Sequence, residues 1–449
     1  MQPRWPDVSL VHGVTMVRGM TPRRLAGVVV TVAGLAAIVV ATLTPVGGTP
    51  RTSSPWCLTC SSLAGADAVV NILLFLPAGV GLGLLAPRVF PALVGLAFMS
   101  SGIEIAQAWI IPGRASAVRD VLTNTLGGAI GLWLASRARS WLSPRASVAR
   151  GLAVGGALAW VVTLGMTGLL TRPSTPPGDY YGQRGSVGEF GSAVVHVAIN
   201  GIPIPLGRLE NPVPVLTALN SRAIDIAVAV APGVIPDDVG PIARLSHPGT
   251  EAFRLAQSGH VLTFSLRLRA ADARLRSPVV RLRGRTGESP AAADTLHLRA
   301  GIRDGTLHVS RDGPAAAAAA LPLAPTIGWA FLTPPSIANR TPVWALTALW
   351  VAAFCFPVGY WTGWAGEIRQ PSTAARARSA VVTLHLGVAA VVLGALALVP
   401  MVAATPRPQW PDWCVAAVTL AGGAVTALAI RRFGLGSHPR IGASRHQRR

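Results

Sequence analysis

Long apolar runs joined by short basic loops occupy residues 25–171 and 342–430, and a polar, alternating stretch separates them. A helix needs about 20 apolar residues to cross a bilayer. That criterion predicts eight spans, at roughly 25–45, 67–86, 89–111, 119–136, 151–171, 342–364, 380–402 and 412–430. The first is long for a signal peptide and lacks a clear small-residue cleavage site, so it reads as a retained span. The fourth is short, but Gly127, Gly128 and Gly131 would let it pack closely against neighbours.

Residues 172–340 follow a different period. They open with a Pro-rich linker, TRPSTPPGDYYG, and continue as short strands. In VLTFSLRLR, alternation sets Leu262, Phe264, Leu266 and Leu268 against Thr263, Ser265, Arg267 and Arg269, the pattern of a half-buried antiparallel strand. LHLRAGIRDGTLHVSRDG predicts a hairpin turning near Asp304-Gly305, with Leu298, Ala300, Ile302, Leu307 and Val309 on one face. Strands without intervening helices predict a β-sandwich. The segment is long enough to bury its own core. The Ala315–Ala320 run reads as a loop or short helix. The fold class is therefore an α-helical polytopic membrane protein with an inserted all-β sandwich.

Composition supports this mixture: 51% of the 449 residues are hydrophobic and only 13% are charged. All 39 basic residues are arginine. A net charge of +21 invites a nucleic-acid reading, but no basic-aromatic recognition element is present and no nucleic-acid partner is expected. Loop arginines instead follow membrane topology. Arg4, Arg18, Arg23, Arg24, Arg88, Arg137, Arg139, Arg145, Arg150, Arg369, Arg376 and Arg378, with six more after span eight, lie on one side. Only Arg51, Arg114, Arg119 and Arg407 lie in the alternate short loops. The bias predicts a plasma (inner) membrane protein with both termini cytoplasmic and residues 172–340 extracytoplasmic. The expected order is a basic tail (1–24), a membrane domain of four spans (25–145), span five (146–171), the sandwich (172–340), three C-terminal spans (341–430) and a second basic tail (431–449).

Three spans carry side chains that hydrocarbon does not favour: Asp67, Asn71, Glu104, Gln107, Asp120 and Asn124, with Arg114 in the loop between the third and fourth. Ionisable groups in a membrane are a functional-site hypothesis by default. The pairs Asp67/Asn71, Glu104/Gln107 and Asp120/Asn124 stand i,i+4 or i,i+3, which gives each helix one polar face. The predicted topology sets all seven in the outer half of the bilayer.

These residues also fall into ordered motifs. N-x-x-x-F-x-P-x-G (Asn71, Phe75, Pro77, Gly79), S-x-x-E-x-x-Q (Ser101, Glu104, Gln107) and R-x(5)-D-V-x-x-N-x-x-G (Arg114, Asp120, Asn124, Gly127) resemble the VanZ-like family over about residues 25–145. The resemblance implies an integral membrane protein and a link to teicoplanin-type glycopeptide resistance; it implies no particular reaction. More loosely, residues 172–340 resemble a concanavalin A-like or laminin G-like sandwich, which implies glycan binding.

Two functional readings of the cluster compete with a structural one. As a binding site, Asp67, Asn71, Gln107, Arg114 and Asn124 contact the substrate, with Arg114 holding a phosphate or carboxylate. As an intramembrane hydrolase or transferase acting on a lipid-linked phosphate, Glu104 and Asp120 serve as general base and acid. As a latch within a membrane scaffold, the same polar groups hold helices together. The expected partners are membrane lipid and an envelope glycan or lipid-linked precursor.

No cofactor is expected, and no metal site: Asp225, Asp237, Asp238 and Asp272 lack the spacing of calcium ligands. His297 and His308 are expected on the polar face of the hairpin. Cys57 and Cys60, in PWCLTC, read as a local disulfide if their loop is extracytoplasmic, with a redox pair or free thiols as alternatives.

Overall fold

A computed structural model describes residues 21–45, 62–85, 88–111, 116–185, 193–231, 239–283, 295–312, 316–366 and 374–433. The chain divides into two compact units, Met1–Arg139 and Ser140–Arg449.

The first unit is helical: α1 (Pro22–Leu43), α2 (Ala64–Leu85), α3 (Val89–Trp109) and α4 (Val118–Ser136). Glycines bring backbones into direct contact. A Cβ on Gly127 or Gly131 of α4 would collide with the Ile72 or Leu76 carbonyl of α2, and one on Gly79 of α2 would collide with the Gly128 carbonyl. Small residues permit this approach where helices associate without a hydrophobic drive. Phe75, Ala78, Leu96, Ile103 and Leu132 fill the centre together with Ile38 of α1. Pro77 sits inside α2, where it leaves one carbonyl of the preceding turn without its helical donor.

The second unit combines a β-sandwich, which carries a short helix at Val213–Leu219 that the strand pattern did not predict, with four long helices, α5 (Ala146–Leu170), α6 (Val343–Ala365), α7 (Ala374–Ala403) and α8 (Trp410–Arg432). Twelve strands, β1 (Tyr181–Arg184), β2 (Val194–Ile199), β3 (Ile202–Pro203), β4 (Gly207–Arg208), β5 (Ile224–Val230), β6 (Val239–His247), β7 (Thr250–Ser258), β8 (Val261–Leu266), β9 (Val279–Arg283), β10 (Leu296–Arg303), β11 (Thr306–Arg311) and β12 (Ala317–Pro322), form two antiparallel sheets. Their orders are β4-β1-β6-β7-β8-β9 and β12-β11-β10-β5-β2-β3. The alternation read from sequence holds: Leu262, Phe264, Leu266 and Leu268 are buried, as are Leu298, Ala300, Ile302, Leu307 and Val309. The β10–β11 hairpin turns at Asp304 (φ 50°) and Gly305 (φ 71°), two left-handed residues as a type I′ turn requires.

The alanine run departs from expectation. Ala317–Pro322 is an edge strand whose Ala319 and Leu321 pair with Val309 and Leu307. Helix propensity is a weak prior that an available ladder overrides, because the β11 edge satisfies the backbone of this segment.

Seven of the eight expected spans are helices long and apolar enough to cross a membrane among the described residues. The eighth, α4, is a 19-residue helix, but Arg119, Asp120 and Asn124 lower its mean hydropathy below that of the others. The protein is thus a multi-pass helical membrane protein carrying an inserted β domain.

In the second unit the sandwich is fixed to its helices by a 3₁₀ segment, Pro325–Phe331, which closes the sandwich core with Ile327 and Phe331. Its other side meets the bundle: Trp329 Nε1 donates to Thr347 Oγ1 of α6 at 3.0 Å, and Thr326 Oγ1 donates to Asp412 Oδ2 of α8 at 2.8 Å. Within the bundle, Trp160 of α5 is fully buried and donates to the Val392 carbonyl of α7 at 3.2 Å. Gly359 and Gly423 set α6 and α8 backbone to backbone.

Candidate functional site

Six of the seven polar residues singled out in the membrane spans lie among the described residues, and they sort into two groups. Arg114 lies outside the described residues, as do Cys57 and Cys60.

The first group joins helix ends. Ala117 caps the N-terminus of α4 without a side-chain bond of its own, leaving backbone donors that the helix cannot satisfy. Glu104 Oε2 on α3 accepts the Ala117 N–H at 2.8 Å, at the positive end of the helix dipole. One turn along α3, Gln107 Nε2 donates to the Thr42 carbonyl at 2.9 Å. That carbonyl belongs to the last turn of α1, where carbonyls likewise lack helical partners. The i,i+3 spacing of Glu104 and Gln107 therefore lets one helix cap two others. Asn124 Nδ2 on α4 completes the group by donating to Ser100 Oγ on α3 at 2.9 Å. Asn124 is 2% exposed, and its Oδ1 atom is buried with no hydrogen-bond partner. Ser101, the serine of the motif, donates to the Ala97 carbonyl of its own helix at 3.0 Å.

The second group is a charged cluster at the N-terminal ends of α2 and α4. Arg119 stands between two carboxylates, with Nε 3.3 Å from Asp120 Oδ1 and Nη2 3.9 Å from Asp67 Oδ2. Asp67 and Asp120 each occupy the first turn of their helix, where the dipole favours an anion. Asn71, one turn below Asp67, donates from Nδ2 to Thr123 Oγ1 at 3.4 Å, and that hydroxyl donates back to the Arg119 carbonyl at 3.1 Å. Asp67 is 31% exposed and Asp120 20%, against 13% for Arg119 and 8% for Glu104. The second group is thus the more accessible of the two.

The structure brings Asp67, Asn71 and Asp120 together and places Glu104, Gln107 and Asn124 in a separate, more buried set. Arg119 is the cation of this cluster among the described residues; Arg114, expected to hold a phosphate or carboxylate, lies outside them. Thr42 carried no signal in the sequence, because a backbone carbonyl has no signature. Ser100 and Thr123 are visible in the sequence as hydroxyls without a base partner, and the structure gives them amide donors, Asn124 and Asn71.

Chemically, the cluster sets one guanidinium between two carboxylates, with Asp120 at 3.3 Å and Asp67 at 3.9 Å, the outer range of an ion pair. Glu104 Oε2 is engaged with a backbone N–H, which orients it as a fixed acceptor.

In the sandwich, Asp225 pairs with Arg299 at 3.4 Å and Asp272 pairs with Arg267 at 2.8 Å; Asp237 and Asp238 lie outside the described residues. His297 is exposed and pairs across the strand with Ala229, while His308 faces Gly301, so the two histidines are not opposite each other. No group of metal-ligating side chains occurs among the described residues.

Residues 27–139 match the model of the VanZ/LLP1 family, so the helical first unit is similar to that family. No curated protein and no solved structure matches the chain.

Proposed function

We propose that this VanZ-like membrane protein acts in recognition at the cell envelope, with the Asp67–Arg119–Asp120 cluster engaging an anionic lipid-linked or peptidyl group. The observation that carries the reading is the asymmetric pairing of Arg119, 3.3 Å from Asp120 and 3.9 Å from Asp67. Asn71 and Thr123 stand beside it as neutral hydrogen-bonding groups able to orient a ligand. Glu104, Gln107 and Asn124 support the site by fixing α1, α3 and α4. In this reading the cluster opens outward, the sandwich is extracytoplasmic and binds a glycan or another envelope component, and the host gains tolerance to glycopeptides.

The test uses cells expressing the full chain. Arg119→Gln is expected to abolish any gain in teicoplanin tolerance and the binding of a polyprenyl-phosphate-linked precursor in nanodiscs, while the protein still reaches the membrane. Unchanged tolerance and unchanged precursor binding in folded Arg119→Gln would discard the reading. Turnover of that precursor, lost in Asp120→Asn, would move the assignment to a hydrolase or transferase. A change in stability alone would leave a structural scaffold.

A further inference from the structure

Where the sandwich meets its own helical bundle, a cleft of about 520 Å³ opens beside the ends of two membrane helices. Thr171 follows the last residue of α5, and Ala403 is the last residue of α7; both line the cleft. The cleft therefore lies at the boundary of the spans, the level at which lipid headgroups sit.

Its charged lining residues are Arg172, Arg222, Arg269 and Asp304, three basic against one acidic. Arg172 has a structural task. Its Nη2 donates to the Ala403 carbonyl at 3.4 Å, and a cation there complements the negative ends of α5 and α7. Arg222 and Arg269 come from the sandwich and have no such task. Both are exposed, and neither has an ion-pair partner among the described residues. Arginines lining one space match the oxygens of a phosphate in charge and in hydrogen-bonding chemistry. Basic pockets next to membrane helices hold lipid headgroups by this chemistry.

We propose that this cleft binds the phosphate headgroup of an anionic phospholipid and so ties the sandwich to the membrane surface. The site is separate from the Arg119 cluster and does not depend on what that cluster does.

The test uses the full chain in mild detergent and in nanodiscs of phosphatidylcholine with or without phosphatidylglycerol, with bound lipid read by native mass spectrometry. Wild type is expected to retain phosphatidylglycerol over phosphatidylcholine. The double variant Arg222→Gln/Arg269→Gln is expected to lose about tenfold of that retention, the equivalent of one charge-assisted contact. Arg340→Gln, an exposed arginine next to the start of α6 and outside the cleft, is expected to change nothing. An equal loss in Arg340→Gln would mean diffuse surface charge and would overturn the proposal. Inorganic phosphate that displaces the lipid at equal concentration would reassign the site to free phosphate and remove the lipid anchor. Should the double variant not fold, each single glutamine variant is read in the same way, and undiminished retention in both would overturn it.

Discussion

The VanZ-like unit and the sandwich both bury apolar side chains, but they differ in what else they bury and in what they expose. In the sandwich, apolar residues such as Phe253, Phe264, Ile226 and Leu298 face inward, while Arg254, Arg299 and Arg303 face out. In the helical unit, Ser100, Glu104, Gln107 and Asn124 are buried alongside apolar residues such as Phe75, Leu96 and Leu132. Phe98, Ile105, Trp109 and Leu122 are exposed on the outside of the same helices. Water makes apolar burial the driving force for the sandwich. Lipid removes that force between helices and leaves close packing and internal hydrogen bonds to hold them. The comparison explains why polar residues at the centre of the helical unit can be structural, and why the accessible ones near Arg119 are the better candidates for function.

The largest effect that would test this contrast is in the sandwich. Phe264→Ala removes a fully buried ring and should destabilise by about 3–5 kcal/mol. Thermal unfolding of the full chain in detergent should report it as a lower midpoint, and a shift near zero would contradict an aqueous-type core.

In the helical unit the corresponding change is steric or polar. Glu104→Ala strips the acceptor from the Ala117 N–H and should cost about 1.5–3 kcal/mol. Glu104→Gln keeps an acceptor and should recover most of it. Equal losses in the two variants would show that the charge, not the cap, matters.

Gly131→Leu should cost about 1–3 kcal/mol by overpacking the contact between α2 and α4. Gly151→Leu on α5, with nothing near its Cβ position, should be close to neutral in the same assay. A comparable loss at Gly151 would dissolve the distinction between welded and lipid-facing glycines.

The smallest expected effect concerns pH. Burial is the main cause that depresses the His308 pKa below its usual 6.5, with Arg303 adding to the shift and the Thr306 backbone and Asp225 opposing it. A histidine that protonates more readily in the unfolded chain contributes stability that is present above its unfolded pKa. That contribution declines as pH falls toward the folded pKa. The midpoint of the sandwich transition should therefore drop on acidification below about pH 6.5, and His308→Gln should flatten the curve. An unchanged slope in His308→Gln would remove this histidine from the account.

Much of the architecture was legible because its signals are local. Length and apolarity mark a span whatever surrounds it, and period-two alternation around Asp304-Gly305 marks a hairpin. The alanine run was misread for the same reason, since its strand conformation comes from the neighbouring β11 edge and not from its own preferences. The candidate site was legible as a set of polar residues and not as an arrangement. Helical spacing shows which side chains share a face of one helix. It does not show that Glu104 reaches the backbone of α4, that Gln107 reaches the end of α1, or that Arg119 is held between Asp67 and Asp120.

The amino-acid order alone thus determined the two solvents this chain is built for, lipid for most of its helices and water for its strands. Transfer free energy depends on residue type, and its period along the chain reveals the element. The tertiary structure decided which polar groups are engaged in holding helices and which remain accessible. That division depends on distances between atoms of different helices, such as the 3.9 Å between Arg119 on α4 and Asp67 on α2, and these are set only when the helices pack together.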